Sequence, residues 1–205
     1  IFPKARRGSF IGKTVDFLVG EPLNVTDIDV GPDGLMYFTI GGRGTRGGMY
    51  RIKYGDTVAK QETPMTVEQV VAQPMRRSAW GRYALEQAKQ IMGAEWERGL
   101  VTFARNTQAP AEQRIAALEA LQAHGPAPSL SLLKKLVKDE NADVGAFAVY
   151  LLGLHPLKSV KKPLTAALDD TDALVQRRTI ESLVRAGWDT NVKVNANDAV
   201  VAKLI

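Results

Sequence analysis

Cysteine is absent from the 205 residues. Its absence excludes disulfides, thiolate metal centres, a cysteine nucleophile and haem attachment through C-x-x-C-H. The compartment stays open, because a secreted domain need not carry disulfides. Histidine occurs only at His124 and His155, too few for a multi-histidine metal centre within this chain. No apolar run reaches the roughly 18–20 residues of a membrane span. No Walker loop, H-E-x-x-H helix, EF-hand loop or G-x-S-x-G elbow is present. The segment Ile1–Phe10 is basic without the apolar stretch of a signal peptide. The first residue is isoleucine and not methionine, so the chain is expected to be a piece of something longer.

What is present has the balance of a globular protein, 45% hydrophobic and 24% charged. Lys plus Arg is 27 and Asp plus Glu is 22, a net charge of +5. A dedicated nucleic-acid binder carries a denser stripe of positive charge. Residues 1–55 hold 11 of the 18 glycines. That first part reads as strands and turns, and the rest as helices.

Thr14–Val19 is a short strand candidate. Val25–Val30 alternates apolar and polar residues with period two, as a half-buried strand does. Gly31-Pro-Asp-Gly34 then supplies a turn, with Pro32 fixing φ and Asp33-Gly34 tolerating positive φ. Leu35–Ile40 returns as a second strand. A glycine-rich loop is expected over Gly41–Gly48, and a third strand over Met49–Tyr54. Residues 25–54 thus form an antiparallel meander about as long as one propeller blade. Three strands bury too little apolar surface to stand alone, so the meander must pack on something else.

Residues 56–78 read as a connector with Pro64, Pro74, Arg76-Arg77 and a short helix around Val67–Ala72. Beyond it, three segments align at a spacing of 31 residues: Ala111–Gly125, Ala142–Pro156 and Ala173–Gly187. Ala117, Ala148 and Thr179 coincide, as do Leu118, Val149 and Ile180, and Leu121, Leu152 and Leu183. The three sets lie at i, i+1 and i+4 on one helical face. Asp139 coincides with Asp170, and Leu133 with Leu164. Pro128 and Pro163 fall at or near the starts of first helices, and Pro110 opens a second one. Asn141 and Asp172 are N-cap candidates. The unit is helix, turn, helix, and three units make a short solenoid. Ala79–Met92 and Glu95–Arg105 are expected to be an irregular capping pair. Trp80, Trp96 and Trp188 are packing residues, and Ala199–Ile205 reads as part of a further helix.

The 31-residue unit resembles HEAT-like repeats over about 110–187. The stretch from Pro22 to Thr39, with Gly42-Arg-Gly-Thr-Arg-Gly-Gly-Met-Tyr-Arg-Ile52, resembles the last blade of glucose/sorbosone dehydrogenase-like propellers. Several of those bind pyrroloquinoline quinone (PQQ) and calcium. A last blade followed by HEAT repeats is similar to the "membrane-bound dehydrogenase" proteins of planctomycetes, some of which end in a c-type cytochrome domain. That resemblance implies a periplasmic or secreted parent. It also implies that Arg43, Arg46 and Asp27 contribute to a cofactor pocket, where guanidinium groups suit the quinone's carboxylates. The competing reading is a long hairpin loop with both arginines in solvent.

Asp27 and Asp29 share one face of their strand. They could face a channel, or cap turns, or pair with Arg43 or Arg51. Two carboxylates do not make a calcium site, which needs six to eight oxygens. His124 and His155 fit helix C-termini, where the dipole favours partial positive charge. Lys134, Lys135, Lys138, Lys158, Lys161 and Lys162 form either a basic patch or a solvated face beside Asp139, Glu140, Asp169 and Asp170, without aromatics for base stacking. Gly42–Gly47 matches G-x-G-x-x-G but lies between strands, which excludes a dinucleotide site.

The expected fold is α+β: a blade-like antiparallel meander followed by an α–α solenoid of HEAT-like repeats. The parts are 1–55 (terminal blade), 56–78 (linker) and 79–205 (repeats). The expected function is a non-catalytic structural or protein-interaction module of a quinoprotein-dehydrogenase-like parent. Catalytic and metal-ligating residues are not assigned. No cofactor is expected in this chain, with PQQ and calcium belonging to the parent. The partner is a protein or a neighbouring domain such as an electron-transfer domain, with no membrane span. The alternatives are a PQQ-dependent sugar dehydrogenase completed by further blades, and a nucleic-acid-binding HEAT protein.

Overall fold

The computed structural model describes residues 2–6, 9–21, 23–42, 44–53, 55 and 62–187. The expected contributions of Arg43, Trp188 and Ala199–Ile205 lie outside the described residues. Among the described residues, five antiparallel strands in two small sheets precede eight helices, so the fold is α+β. The chain divides into two compact units. One holds Ile1–Thr14, Ala104–Ile115 and Ala127–Ile205; the other holds Val15–Phe103 and Ala116–Pro126.

In the second of these, β3 (Val25–Val30), β4 (Met36–Gly42) and β5 (Thr45–Ile52) form a meander in that order. Its register sets Ile28 opposite Phe38 and Phe38 opposite Tyr50. The Phe38 and Tyr50 rings stack with centroids 5.4 Å apart. The turn after β3 is closed by the Gly34 N–H donating to the Gly31 carbonyl at 2.9 Å, with Gly34 at φ +76°. An L side chain rarely adopts that angle, which is why glycine follows Asp33. Coverage of the sheet is thin: Val25, Ile28, Met49 and Tyr50 are each half exposed or more.

The glycine-rich loop expected over Gly41–Gly48 is a correction. Strand β4 runs through Gly42 and β5 begins at Thr45, leaving two residues between them. Glycine carries the same backbone donors and acceptors as other residues, so Gly48 pairs with Ile40 in the ladder. The strand expected at Thr14–Val19 is a second correction. Those residues are not in a strand, and Val15, Phe17, Leu18 and Val19 are exposed. β-branched composition does not make a strand without a neighbour to pair with.

The same unit contains α1 (Val67–Ala72), α2 (Ala79–Met92) and most of α3 (Ala94–Arg105). Val70, Val71, Ala84, Leu85, Ala88, Trp96 and Leu100 are buried. Thr66 and Ser78 cap α1 and α2 through their side-chain oxygens.

In the other unit, β1 (Phe2–Arg6) and β2 (Ser9–Lys13) make a separate two-stranded hairpin that the sequence patterning did not reveal. The helices there are the opening of α4 (Ala111–His124), α5 (Leu130–Leu136), α6 (Ala142–Leu152), α7 (Leu157–Ala167) and α8 (Ala173–Arg185). Helices α4, α6 and α8 start at residues 111, 142 and 173, the expected 31-residue step. The Asn141 side chain accepts the N–H groups of Asp143 and Val144, and Asp172 accepts those of Leu174 and Val175. Both are thus N-caps at the same register. Ser129 caps α5.

The aligned positions are buried: Ala117, Ala148, Thr179, Leu118, Val149, Leu121, Leu152, Leu183, Leu133 and Leu164. Ile180 departs from its equivalents and is 41% exposed. Pro163 is also a correction, for it lies inside α7 and not near its start. It has no N–H for the i−4 carbonyl of Ser159, so the helix forgoes one backbone hydrogen bond there. No helix among the described residues is long and apolar enough to cross a membrane.

Helix α6 meets α8 at Gly153. A Cβ there would lie 2.7 Å from Ser182 Cβ and 2.8 Å from Ser182 Cα. Ser182 is buried, and its hydroxyl has no hydrogen-bond partner among the described residues. The Gly153→Ala variant is therefore expected to lose about 1–3 kcal/mol through overpacking. Ser182→Ala is expected to keep or raise stability, because it removes an unsatisfied buried hydroxyl. Urea unfolding of the two variants beside the parent checks both signs.

Candidate functional site

The turns before α6 and α8 share a device. Asp139 Oδ1 accepts the Asn141 N–H at 3.1 Å, and Asp170 Oδ1 accepts the Asp172 N–H at 2.8 Å. Each carboxylate fixes the turn that leads into the next N-cap. Asp139 carries a second duty. Arg114, in the first turns of α4, donates through Nη1 to Asp139 Oδ1 at 3.0 Å and through Nη2 to Oδ2, and its Nε donates to the Ala104 carbonyl at 3.0 Å. The two side chains are 3% and 7% exposed. Burial works against the Asp139 charge, but the guanidinium and the Asn141 N–H outweigh it and hold the carboxyl below its ordinary value.

The tie is not repeated. The position 31 residues after Arg114 is Gly145, where a Cβ would already sit 3.4 Å from the Val137 carbonyl oxygen. The next is Gln176, whose Nε2 donates to the Asp170 carbonyl at 2.7 Å.

On the side of α6 opposite its buried residues, Phe147 and Tyr150 stack with centroids 5.7 Å apart. The Arg185 guanidinium of α8 lies 4.7 Å from the centre of the Tyr150 ring, and its Nη1 donates to the Tyr150 carbonyl at 3.5 Å. Leu154, 45% exposed, follows Tyr150 by four residues. Beside them on α8, Glu181 pairs with Arg178 at 2.8 Å and with Arg177 at 3.0 Å. Burial raises the Glu181 pKa somewhat, and the two arginines more than reverse it, so the group sits below its ordinary value. The result is an aromatic and aliphatic ridge edged by Arg185, with Arg178 two turns earlier on the same face of α8. Sequence periodicity did not mark it, because Phe147, Tyr150 and Arg185 lie off the aligned positions and their equivalents differ in type. An i, i+3, i+7 search on the polar face of α6 would have found it.

Of the residues expected at a cofactor pocket, Asp27 and Arg46 are described and Arg43 is not. Asp27 is exposed on β3, in the cross-strand row of Thr39 and Met49, and its carboxylate accepts the Ile28 N–H at 2.8 Å. Arg46 is exposed at the second position of β5, within the irregularity between the Gly42–Thr45 and Ile40–Gly48 pairs. They are on non-adjacent strands of the sheet. Asp29 caps a helix: its carboxylate accepts the Ala79 N–H at 3.2 Å and lies 3.8 Å from Arg82, at the N-terminus of α2. Asp33 accepts the Tyr37 hydroxyl at 2.7 Å and the Leu35 N–H at 3.1 Å, which lower its pKa in that order.

His124 is at the end of α4. Its Nδ1 is 3.1 Å from Glu86, its ring meets Trp96 edge-on, and its carbonyl accepts the Lys89 ammonium. Trp96 is buried and donates from Nε1 to the Gly125 carbonyl at 3.0 Å. His155 is half-buried in the turn after α6. The six lysines of α5, α7 and the turn after α5 are exposed. No group of three or more histidine, aspartate or glutamate side chains among the described residues is placed to hold a metal ion.

A family model described as HEAT repeats matches residues 98–189. This region is a HEAT-like repeat segment, a module of the structural or protein-interaction kind. The match begins within α3. No curated protein matches the chain.

Removing one member of a buried ion pair leaves the other unpaired, so Asp139→Ala is expected to lose about 3–5 kcal/mol at neutral pH. Because the folded pKa of Asp139 is lowered, its contribution is complete above the unfolded carboxylate value of about 3.9 and fades as pH falls through the folded one. The stability gap between parent and variant should therefore close below about pH 4, which denaturation at a series of pH values measures.

Proposed function

We propose that the chain is a non-catalytic module in which HEAT-like repeats brace or bind protein, joined to a sheet that belongs to a quinoprotein-dehydrogenase-like propeller. The observation that carries this is the 31-residue recurrence of capped, buried second helices, which devotes the helical residues to stacking and leaves their outer faces for contact. The thin coverage of β3–β5 supports a sheet made to be flanked by others. On this reading residues 1–55 act as the terminal blade, 56–78 as the connector and 79–205 as the interaction part. The residence is periplasmic or secreted, by the resemblance of the sheet segment.

PQQ and calcium belong to the parent on this proposal. Asp27 and Arg46 do not form a cradle by themselves, since both are exposed and on non-adjacent strands. The alternative of a sugar dehydrogenase makes the opposite demand. Calorimetric titration of the chain with PQQ, with and without calcium chloride, separates the two. The expected result is no saturable heat. Saturable binding that weakens about tenfold in Arg46→Ala or Asp27→Ala would transfer the sheet to a sugar-oxidising site.

A further inference from the structure

We propose that the ridge formed by Phe147, Tyr150 and Leu154 of the α6 segment with Arg178 and Arg185 of α8 is the protein-docking surface, and that its occupant is an acidic protein segment carrying an aliphatic or aromatic anchor. This rests on the interaction-module reading above and names the partner chemistry for it.

Three observations lead there. First, Phe147 and Tyr150 are half-buried and Leu154 is exposed, on the side of the helix away from the face filled by Val144, Ala148, Val149, Leu151 and Leu152. Second, the rigid side chains are preorganised: Phe147 stacks on Tyr150, and Tyr150 holds Arg185 by its ring and its carbonyl. Tyrosine and arginine held in this way lose little freedom on binding and are the residue types that dominate interface energies. Third, the charge on α8 is unbalanced. The helix carries Arg177, Arg178 and Arg185 against a single acid of its own, Glu181. Arg185 makes its contacts to Tyr150 and has no ion pair among the described residues. A carboxylate delivered beside Leu154 would meet that guanidinium, and an apolar side chain next to it would cover Leu154 and Phe147.

A single-stranded nucleic acid is the less suited occupant. The Tyr150 ring already carries Phe147 and Arg185, so an incoming base must displace one of them to stack. The exposed lysines are on α5, α7 and the following turn, away from any aromatic pair on those helices.

The test uses the full chain and three fluorescein-labelled probes: a short glutamate-rich peptide with a central Leu-Trp pair, its lysine-for-glutamate counterpart, and an oligothymidylate. At low ionic strength the acidic peptide should bind saturably and the lysine peptide should not. Arg185→Ala and Leu154→Glu, both at exposed positions, should each weaken it by about tenfold or more. Lys134→Glu and Lys162→Glu should change it by no more than about twofold. Amide spectra of the unaltered chain should show the peptide shifting Tyr150, Leu154 and Arg185, which keeps the test decisive if a variant unfolds. Absence of binding, or binding indifferent to Arg185→Ala, overturns the inference. Oligothymidylate binding lost in Arg185→Ala overturns it in favour of nucleic acid. Peptide binding that maps to the lysines of α5 and α7 overturns this surface but leaves the interaction module standing, whereas saturable quinone binding removes that reading itself.

Discussion

The repeats depend on how closely their second helices pack. Positions 117, 148 and 179 hold alanine, alanine and threonine, all fully buried, and the Thr179 hydroxyl is turned back onto the Val175 carbonyl so that it costs no unsatisfied group. At the end of α6, Gly153 brings its backbone against Ser182, where even a methyl group has no room. Large side chains fill the positions beside these small ones, with Leu121, Leu152 and Leu183 as the repeated anchors. Close-packed interiors tolerate little change in volume, so this alternation of small and large fixes the step between α6 and α8.

The turns supply the other half of the constraint. An aspartate two residues before an Asn or Asp cap holds each chain reversal, and the cap then satisfies the first free N–H groups of the helix. On that constant frame the lateral ties vary. Arg114 reaches Asp139 as a buried bidentate pair, Gly145 leaves space for a carbonyl, and Gln176 reaches a backbone oxygen. The outer ridge varies in the same way, which gives one repeat an aromatic pair and its neighbour arginines. Constant positions serve stacking and variable ones are available for recognition.

Much of the helical architecture was legible in the residues because periodicity reports burial directly. The starts of α4, α6 and α8, the short helix α1 and the caps Asn141 and Asp172 all follow from local patterns. Ile180 does not, since its equivalence to Leu118 and Val149 concerns type alone, while exposure depends on what lies opposite. The hairpin β1–β2 was hidden because Phe2–Lys13 lacks clean alternation, and Thr14–Val19 misled because β-branched residues form strands only where a partner exists. Glycines at 41, 42, 47 and 48 suggested a loop, yet their backbones are in the ladder or at its end. Of the candidate site residues, Asp27 and Arg46 were placed by a resemblance rather than by any contact pattern. The Phe147–Tyr150–Arg185 group, by contrast, needs two helices in register before it exists at all.

The chain thus joins a well-filled helical repeat to a sheet with large exposed apolar side chains. Buried apolar contact density governs which segments open together. Native-state hydrogen exchange measures this most directly. Amides of α6 and α8 around Val149, Leu152 and Leu183 should exchange only through global unfolding, and those of β3–β5 through a cheaper local opening. Sheet amides as strongly protected as the helix amides would contradict the account.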